Sequence, residues 1–190
     1  MAKNTKKETN KDNETGVFEE VFSWIVVIVL AIGLAVVIKT FVIINANIPS
    51  GSMENTIMTG DRLFGYRLAY LFSEPERGDI IIFKYPDDET ESYVKRIIGL
   101  PGEIVRVKEG KIYIDDNEEP LDESYLKEEW TVDNDGYVFQ VPENSYLVMG
   151  DNRNYSYDAR YWTNEYVSED KILGKAGLRY FPFDTIGFVE

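Results

Sequence analysis

Hydrophobic and polar positions divide the chain into three stretches. Residues 1–16 are polar and carry Lys3, Lys6, Lys7 and Lys11, the pattern of a disordered tail. From Val21 to Ile38 no residue is charged, and beyond Lys39 the apolar character resumes through Phe41-Val-Ile-Ile44. At ~1.5 Å per residue a helix over this run measures about 27–36 Å, which matches a bilayer core of roughly 30 Å. A cleaved secretion signal has a shorter apolar core, of about 7–15 residues, followed by small residues at the cut. The longer run here predicts an uncleaved transmembrane anchor over residues 17–44. No polar residue breaks it into two faces, as happens in a buried core helix.

From residue 45 onward, helical periodicity gives way to short β-rich runs. Asp79 to Tyr85 and Tyr93 to Ile98 read as strands, ended by Pro86 and by Gly99-Leu-Pro-Gly102. Glu103–Lys108 and Lys111–Asp115 flank Glu109-Gly110 as a hairpin. Tyr137–Val141 and Tyr146–Met149 flank Pro142-Glu-Asn-Ser145 as a second hairpin, and Ile172 to Phe181 supplies a last strand before Pro182. The expected fold is mostly β: a single N-terminal transmembrane helix, then an antiparallel β-sheet or barrel-like domain over residues 45–190. Residues 115–135, dense in Asp and Glu with Lys127 alone opposing them, read as an acidic, solvated surface excursion. Leu63 to Phe72 is apolar apart from Gly65 and Arg67, and fits either a lipid-touching surface or the core.

Charge and composition narrow the function. Lys and Arg total 20 against 34 Asp and Glu, a formal net charge of −14; phosphate binding needs a basic face, which argues against nucleic acid as a partner. Lys3, Lys6, Lys7 and Lys11 precede the apolar run, against Lys39 and Arg62 beyond it. The N-terminus is therefore expected in the cytoplasm, with residues 45–190 outside. There is no Cys and no His. Their absence removes disulfides, thiolate nucleophiles, the usual base of serine hydrolases and the usual zinc ligand. A nucleophilic hydrolase made from this chain must attack with Ser or Thr and use Lys or a carboxylate as base.

Three segments supply such groups. Ile48-Pro-Ser-Gly-Ser-Met53 places two serines in a tight turn that exposes a side chain and aims backbone N–H groups at one spot; taken alone it is also an ordinary loop. Lys95 shares one face of its strand with Tyr93 and Ile97. There it is either an edge-strand gatekeeper or, if buried, a base. A free lysine has a pKa of about 10.4, and desolvation lowers it by disfavouring the ammonium. Gly150-Asp-Asn-Arg-Asn-Tyr-Ser-Tyr-Asp-Ala-Arg160 packs acids, arginines and a serine into one loop, which by itself reads as a hydrogen-bonded turn network.

Taken together and in order, these stretches resemble the bacterial type I signal peptidases, membrane-bound serine enzymes with a Ser–Lys dyad, over nearly all of residues 17–190. Pro49-Ser-Gly-Ser-Met53, followed by Gly60-Asp61-Arg62, is similar to the nucleophile motif, and Tyr93-Val-Lys-Arg-Ile-Ile-Gly-Leu-Pro-Gly102 to the lysine motif. Gly150-Asp-Asn-Arg153 with Ser156, Asp158 and Arg160 resembles the last motif, and Gly174-Lys-Ala176 continues the pattern. The resemblance implies Ser52 as nucleophile, Lys95 as its general base and Ser156 as a hydrogen-bond partner that orients Lys95. It implies an oxyanion hole from the Ser50 hydroxyl and the Ser52 N–H. Asp158, paired with Arg153 or Arg160, is implied as structural support, and Ile48, Met53, Ile57, Tyr93 and Val94 as the lining of shallow pockets for small side chains. Three departures bear on rate and pocket shape: Asn55 stands where the family usually has Pro, Ala159 where it commonly has Ser, and Tyr157 is bulkier than many of its counterparts.

The implied reaction is removal of N-terminal signal peptides from secreted preproteins after an Ala-x-Ala-like segment, at the outer face of the cell membrane. It calls for no cofactor and no metal, and its partners are secreted preproteins and membrane lipid. Ser52 follows Ile44 closely enough that its tether reaches at most about 26–29 Å beyond the anchor, the level at which a signal peptide presents its cleavage site. The competing reading is a membrane-tethered, catalytically inactive β-domain that binds an extracytoplasmic partner, a role the acidic 115–135 stretch suits. Self-cleaving repressors share the dyad logic but need a DNA-binding region, and residues 1–44 offer an anchor instead.

Overall fold

In the computed structural model, which describes residues 5–189, the uncharged run lies within one long helix, α1 (Thr5–Phe41). Its segment Glu19–Phe41 has a mean hydropathy of 3.1 and no buried side chain, so its apolar surface is unpartnered by protein. The helix starts at Thr5 rather than at residue 17: once the apolar run has nucleated a helix, adding Lys- and Glu-rich turns costs little. Residues 1–4 of the expected tail lie outside the described residues. The C-terminal limit also differs, because the chain leaves the helix at Val42 and Ile43 begins a strand. The molecule divides between Val42 and Ile43 into two compact units.

The second unit is built of β1 (Ile43–Asn47), β2 (Arg62–Tyr66), β3 (Ile80–Tyr85), β4 (Asp88–Gly99), β5 (Ile104–Lys108), β6 (Lys111–Ile114), β7 (Val138–Gln140), β8 (Ser145–Met149), β9 (Tyr166–Ser168), β10 (Ile172–Phe181) and β11 (Gly187–Phe188). The larger sheet has the order β1-β2-β10-β3-β4-β8-β9 with β11 on β10, and the smaller one the order β6-β5-β7. Every pairing is antiparallel, as the absence of crossover helices in the sequence requires. β3 carries apolar residues on both faces. Ile81, Phe83 and Tyr85 enter a core shared with the small sheet, while Ile80 and Ile82 enter a second core with Ile44, Leu63, Met53 and Ile57. The path is open at β1, and β8 pairs only with the Arg96–Gly99 part of β4. Among the described residues, then, β1 and the 91–95 stretch of β4 each keep a free edge.

Three local expectations change. β7 and β8 do not form a hairpin: β7 pairs with β5 and β8 with β4 and β9. The chain passes from the small sheet to the large one at Pro142–Asn144, where Asn144 takes a φ of 59°. The apolar Leu63–Phe72 stretch splits, with Leu63 fully buried and Leu68, Leu71 and Phe72 exposed. The acidic 115–135 stretch lacks helix and strand, and its acids are solvent-exposed except for the half-buried Glu123, but several of its apolar residues turn inward. Leu121 N donates to Ile112 O at 2.8 Å, Tyr125 packs on the main core and Trp130 belongs to it. Glu123 meets the buried Arg153 guanidinium at 2.5 Å, and the Trp130 ring lies 5.1 and 5.0 Å from the guanidinium carbons of Arg153 and Arg160. The stretch is a strap, solvated along most of its acids yet anchored inward, with Glu123 neutralising the buried Arg153.

Removing Glu123 leaves the Arg153 guanidinium buried with its partner lost. Glu123→Ala is expected to lower the unfolding free energy by about 3 kcal/mol, measured by urea unfolding followed through tryptophan fluorescence.

Candidate active site

β1 runs directly into the serine turn. Ile48 N donates to Asp61 O at 3.0 Å and Gly60 N to Ile48 O at 2.8 Å, while Ile57 N closes one helical turn onto Met53 O at 2.8 Å. Ile48, Met53 and Ile57 are buried in the second core. Apolar residues interleaved with serines thus anchor the turn, leaving Ser50 exposed and the buried Ser52 on the wall of a cleft. Ser50 Oγ donates to Ser52 Oγ at 3.4 Å.

Lys95 arrives from β4, opposite Ile81, on the face it shares with Tyr93 and Ile97. It is 4% exposed, and its Nζ lies 2.5 Å from Ser52 Oγ. Burial pushes the lysine down to about 8 from its ordinary 10.5; Asp158 and Asp151 pull upward against it, and Arg160 adds to the fall. The gatekeeper reading of Lys95 does not fit such burial, since a gatekeeper keeps its ammonium in water.

The third segment packs beneath this pair. Asp158 is fully buried; it accepts from Gly150 N at 2.9 Å and from Arg160 Nε at 2.8 Å. Burial alone drives its carboxyl upward, but the Arg160 hydrogen bonds and charge outweigh that and hold it below the usual carboxylate range. Arg160 also bonds Asn134 Oδ1 at 3.1 Å and Arg153 O at 2.9 Å, and Arg153 Nε bonds Gly150 O at 3.0 Å. So Asp158 pairs with Arg160, while the Arg153 side chain turns to Glu123 in the strap. The expected hydrogen bond between Ser156 and Lys95 is not formed: the buried Ser156 hydroxyl lies beside the Asp158 carboxylate and helps hold it down, and the lysine amine is engaged by Ser52.

A cleft of about 590 Å3 opens over Ser52 and Lys95, between residues 47–53 and residues 91–95, with Tyr155 and Tyr157 also lining it. Ile48, Met53, Tyr93 and Val94 line it as anticipated, whereas Ile57 is absent from its walls and lies wholly in the core behind. Several residues that hold the site had no role assigned from sequence. Asp151 pairs with Arg96 at 2.8 Å and accepts from Thr56 Oγ1 at 2.5 Å. Asn152 donates to the nucleophile turn through its backbone N, 3.0 Å from Ser52 O, and its Nδ2, 2.9 Å from Gly51 O. Asp151 and Asn152 sit inside the quoted last motif, but nothing in their spacing says which distant backbone they grip.

Gly150 marks the closest approach of these segments. A Cβ there would collide with Ser156 Oγ and with the Ser52 carbonyl oxygen, so the Ser52 turn and the last motif can touch only across a residue without a side chain. Gly150→Ala is expected to displace Ser52 and slow its reaction with a serine-directed acylating probe by about 100-fold, read as the rate of covalent labelling.

Comparison with known proteins brings these features under one heading. The pattern of the family described as "Signal peptidase, peptidase S26" matches residues 21–181. The chain is 39% identical to a probable signal peptidase I-2 of Synechocystis sp., over 100% of this chain and 86% of that protein. It is 39% identical to a signal peptidase I of Leptolyngbya laminosa, over 83% of this chain and 78% of that protein. It is also 31% identical, over 90% of this chain and 98% of the relative, to an inactive signal peptidase IA of Staphylococcus aureus. Likeness of sequence therefore extends to proteins named signal peptidase I and to one named inactive, and the chemistry has to be argued from the Ser52–Lys95 pair. A family match running from the apolar helix to the end of β10, and relatives aligned over nearly their whole length, establish that the chain belongs to the signal peptidase family, peptidase S26.

Proposed function

We propose that this chain is a serine endopeptidase that removes N-terminal signal peptides from secreted preproteins after an Ala-x-Ala-like segment, with Ser52 as nucleophile and Lys95 as general base. The contact of 2.5 Å between Lys95 Nζ and Ser52 Oγ carries the reading. A buried lysine pushed down to about 8 is neutral in roughly one molecule in five at pH 7.4, against on the order of one in a thousand for a free lysine. It is able to take the serine proton as Ser52 attacks the scissile carbonyl. The Ser50 hydroxyl and the Ser52 N–H face the developing oxyanion. The lysine then gives its proton to the leaving amine and later activates the deacylating water. Ser156, buried beside Asp158, receives the lysine ammonium once that amine turns from Ser52. Asp158 with Arg160, and Arg153 through its bond to Gly150 O, keep the last motif in place and carry no proton.

The substrate lies extended between the free edges of β1 and β4, its main chain pairing with both. Small side chains at the positions one and three before the cut enter pockets lined by Ile48, Met53, Tyr93 and Val94, with Ile57 backing them. The segment Glu19–Phe41 anchors the protein in the cell membrane, the N-terminus faces the cytoplasm, and residues 45–190 act outside, beside membrane lipid. No metal or cofactor enters the mechanism, and nucleic acid is not a partner.

A second reading, the tethered but inactive binding domain, has the inactive Staphylococcus aureus relative in its favour and the intact Ser52–Lys95 contact against it. Cleavage of a preprotein whose signal ends in Ala-x-Ala, in detergent or lipid between pH 6 and 11, separates the two. Because the neutral amine is the base, activity is expected to fall away below about pH 8 and to rise to a plateau above it. Ser52→Ala and Lys95→Ala are each expected to lose roughly 1,000-fold or more. Activity that survives either substitution would overturn the dyad; a folded wild type that cleaves nothing would favour the binding domain.

A further inference from the structure

The peptide unit between Gly51 and Ser52 has the Gly51 carbonyl at one end and the Ser52 N–H at the other, held in one plane and pointing in opposite directions. Fixing the carbonyl therefore fixes the N–H. With glycine on one side, rotation of that plane meets little steric resistance, so the direction of the Ser52 N–H has to be imposed from outside. Two hydrogen bonds impose it on the carbonyl: Glu54 N donates to Gly51 O at 3.2 Å from within the turn, and Asn152 Nδ2 donates at 2.9 Å from the last motif. Asn152 also holds the next carbonyl, its backbone N lying 3.0 Å from Ser52 O.

Asn152 is itself held firmly. It is 3% exposed, and it is flanked by Asp151, which Arg96 and Thr56 grip, and by Arg153, which bonds Gly150 O. Only the donor end of its amide is used, since Oδ1 is buried without a partner. An unpaired buried oxygen is a cost, so the N–H is what the site requires of this side chain.

We infer that Asn152 is a positioning residue for the oxyanion site: its amide pins the Gly51–Ser52 peptide so that the Ser52 N–H stays aimed at the oxygen of the tetrahedral intermediate. Donation to the carbonyl at the far end of the same peptide also polarises that N–H and makes it a better donor. The inference rests on the peptidase reading above and adds to it the residue that orients the oxyanion donor.

Kinetics of the full-length protein in detergent test it, on a peptide with an Ala-x-Ala segment and with two ligands: a peptide boronic acid, which forms a tetrahedral adduct on the serine, and an uncleavable ground-state peptide. Asn152→Asp keeps the size of the side chain and removes the donor. Because the oxyanion exists only in the transition state, kcat is expected to fall about 10- to 100-fold, with boronate affinity falling in step. KM and ground-state affinity are expected to stay within about 2-fold, and in Asn152→Ala, which adds no charge beside the lysine, the pH midpoint is expected to stay in place. Asn152→Ala, which leaves Glu54 N–H and water to hold the carbonyl, is expected to show the same split with a smaller loss. It decides by the same criteria if Asn152→Asp does not fold. A kcat within about 2-fold of wild type overturns the inference, as does a parallel fall of kcat, ground-state affinity and thermal midpoint. If wild type itself cleaves nothing, the peptidase reading fails and the inference with it; normal wild-type cleavage with unchanged Asn152 variants overturns the inference alone.

Discussion

Lys95 must lose its hydration for the site to work, and the fold around it is arranged to make that loss tolerable. Moving the amine from its ordinary 10.5 to about 8 disfavours the ammonium by about 3 kcal/mol, a destabilisation the two cores have to absorb. Burial does this by bringing the strand into apolar company: Ile97 on the same face is fully buried, and the facing Ile81 is too. Yet the amine is not left without a partner, since Ser52 Oγ lies within hydrogen-bond distance. A lysine held well below its ordinary pKa and a serine in contact with it thus follow from one packing decision.

The remaining polar groups of the interior follow from that decision as well. A buried lysine that becomes charged during turnover needs compensating charge nearby, and Asp158 and Asp151 supply it without touching the amine. Each of those carboxylates is in turn paired, with Arg160 and with Arg96. Arg153 closes the chain on Glu123 of the strap. Buried ion pairs of this kind contribute little net stability, but removing one member is costly, so the network favours one arrangement of the segments over all others. The catalytic geometry is held by that mutual dependence and by the missing side chain at Gly150.

The free edges of β1 and β4 give the same architecture its access to a peptide. An unpaired edge is ordinarily a liability for aggregation. Here the two edges border the cleft that holds Ser52, so in the proposed function a substrate strand satisfies backbone groups that the sheet leaves open and brings its reacting carbonyl along with them.

Much of this was legible in the sequence, for identifiable reasons. An uncharged run of bilayer length, the β3 to β6 strands and the absence of His and Cys depend on local patterning or on composition, and both are written directly in the residues. The family motifs around Ser52, Lys95 and Gly150–Arg160 were readable too, because chemistry constrains residue type at short spacing. What patterning could not decide were matters of distance and partner. Phe139 and Tyr146 look like two arms of one hairpin, but pairing is set by which sheet edge is open, and the chain divides them between two sheets. The acids of the strap read as solvated and all but Glu123 are, whereas the half-burial of Glu123 depends on Arg153, far along the chain. Lys95 reads equally as gatekeeper or base until its depth is known. Sequence determined which groups are present and on which strand faces they stand. Tertiary structure alone decided which of them lose water, because burial is a property of everything that packs around a residue and not of the residue itself.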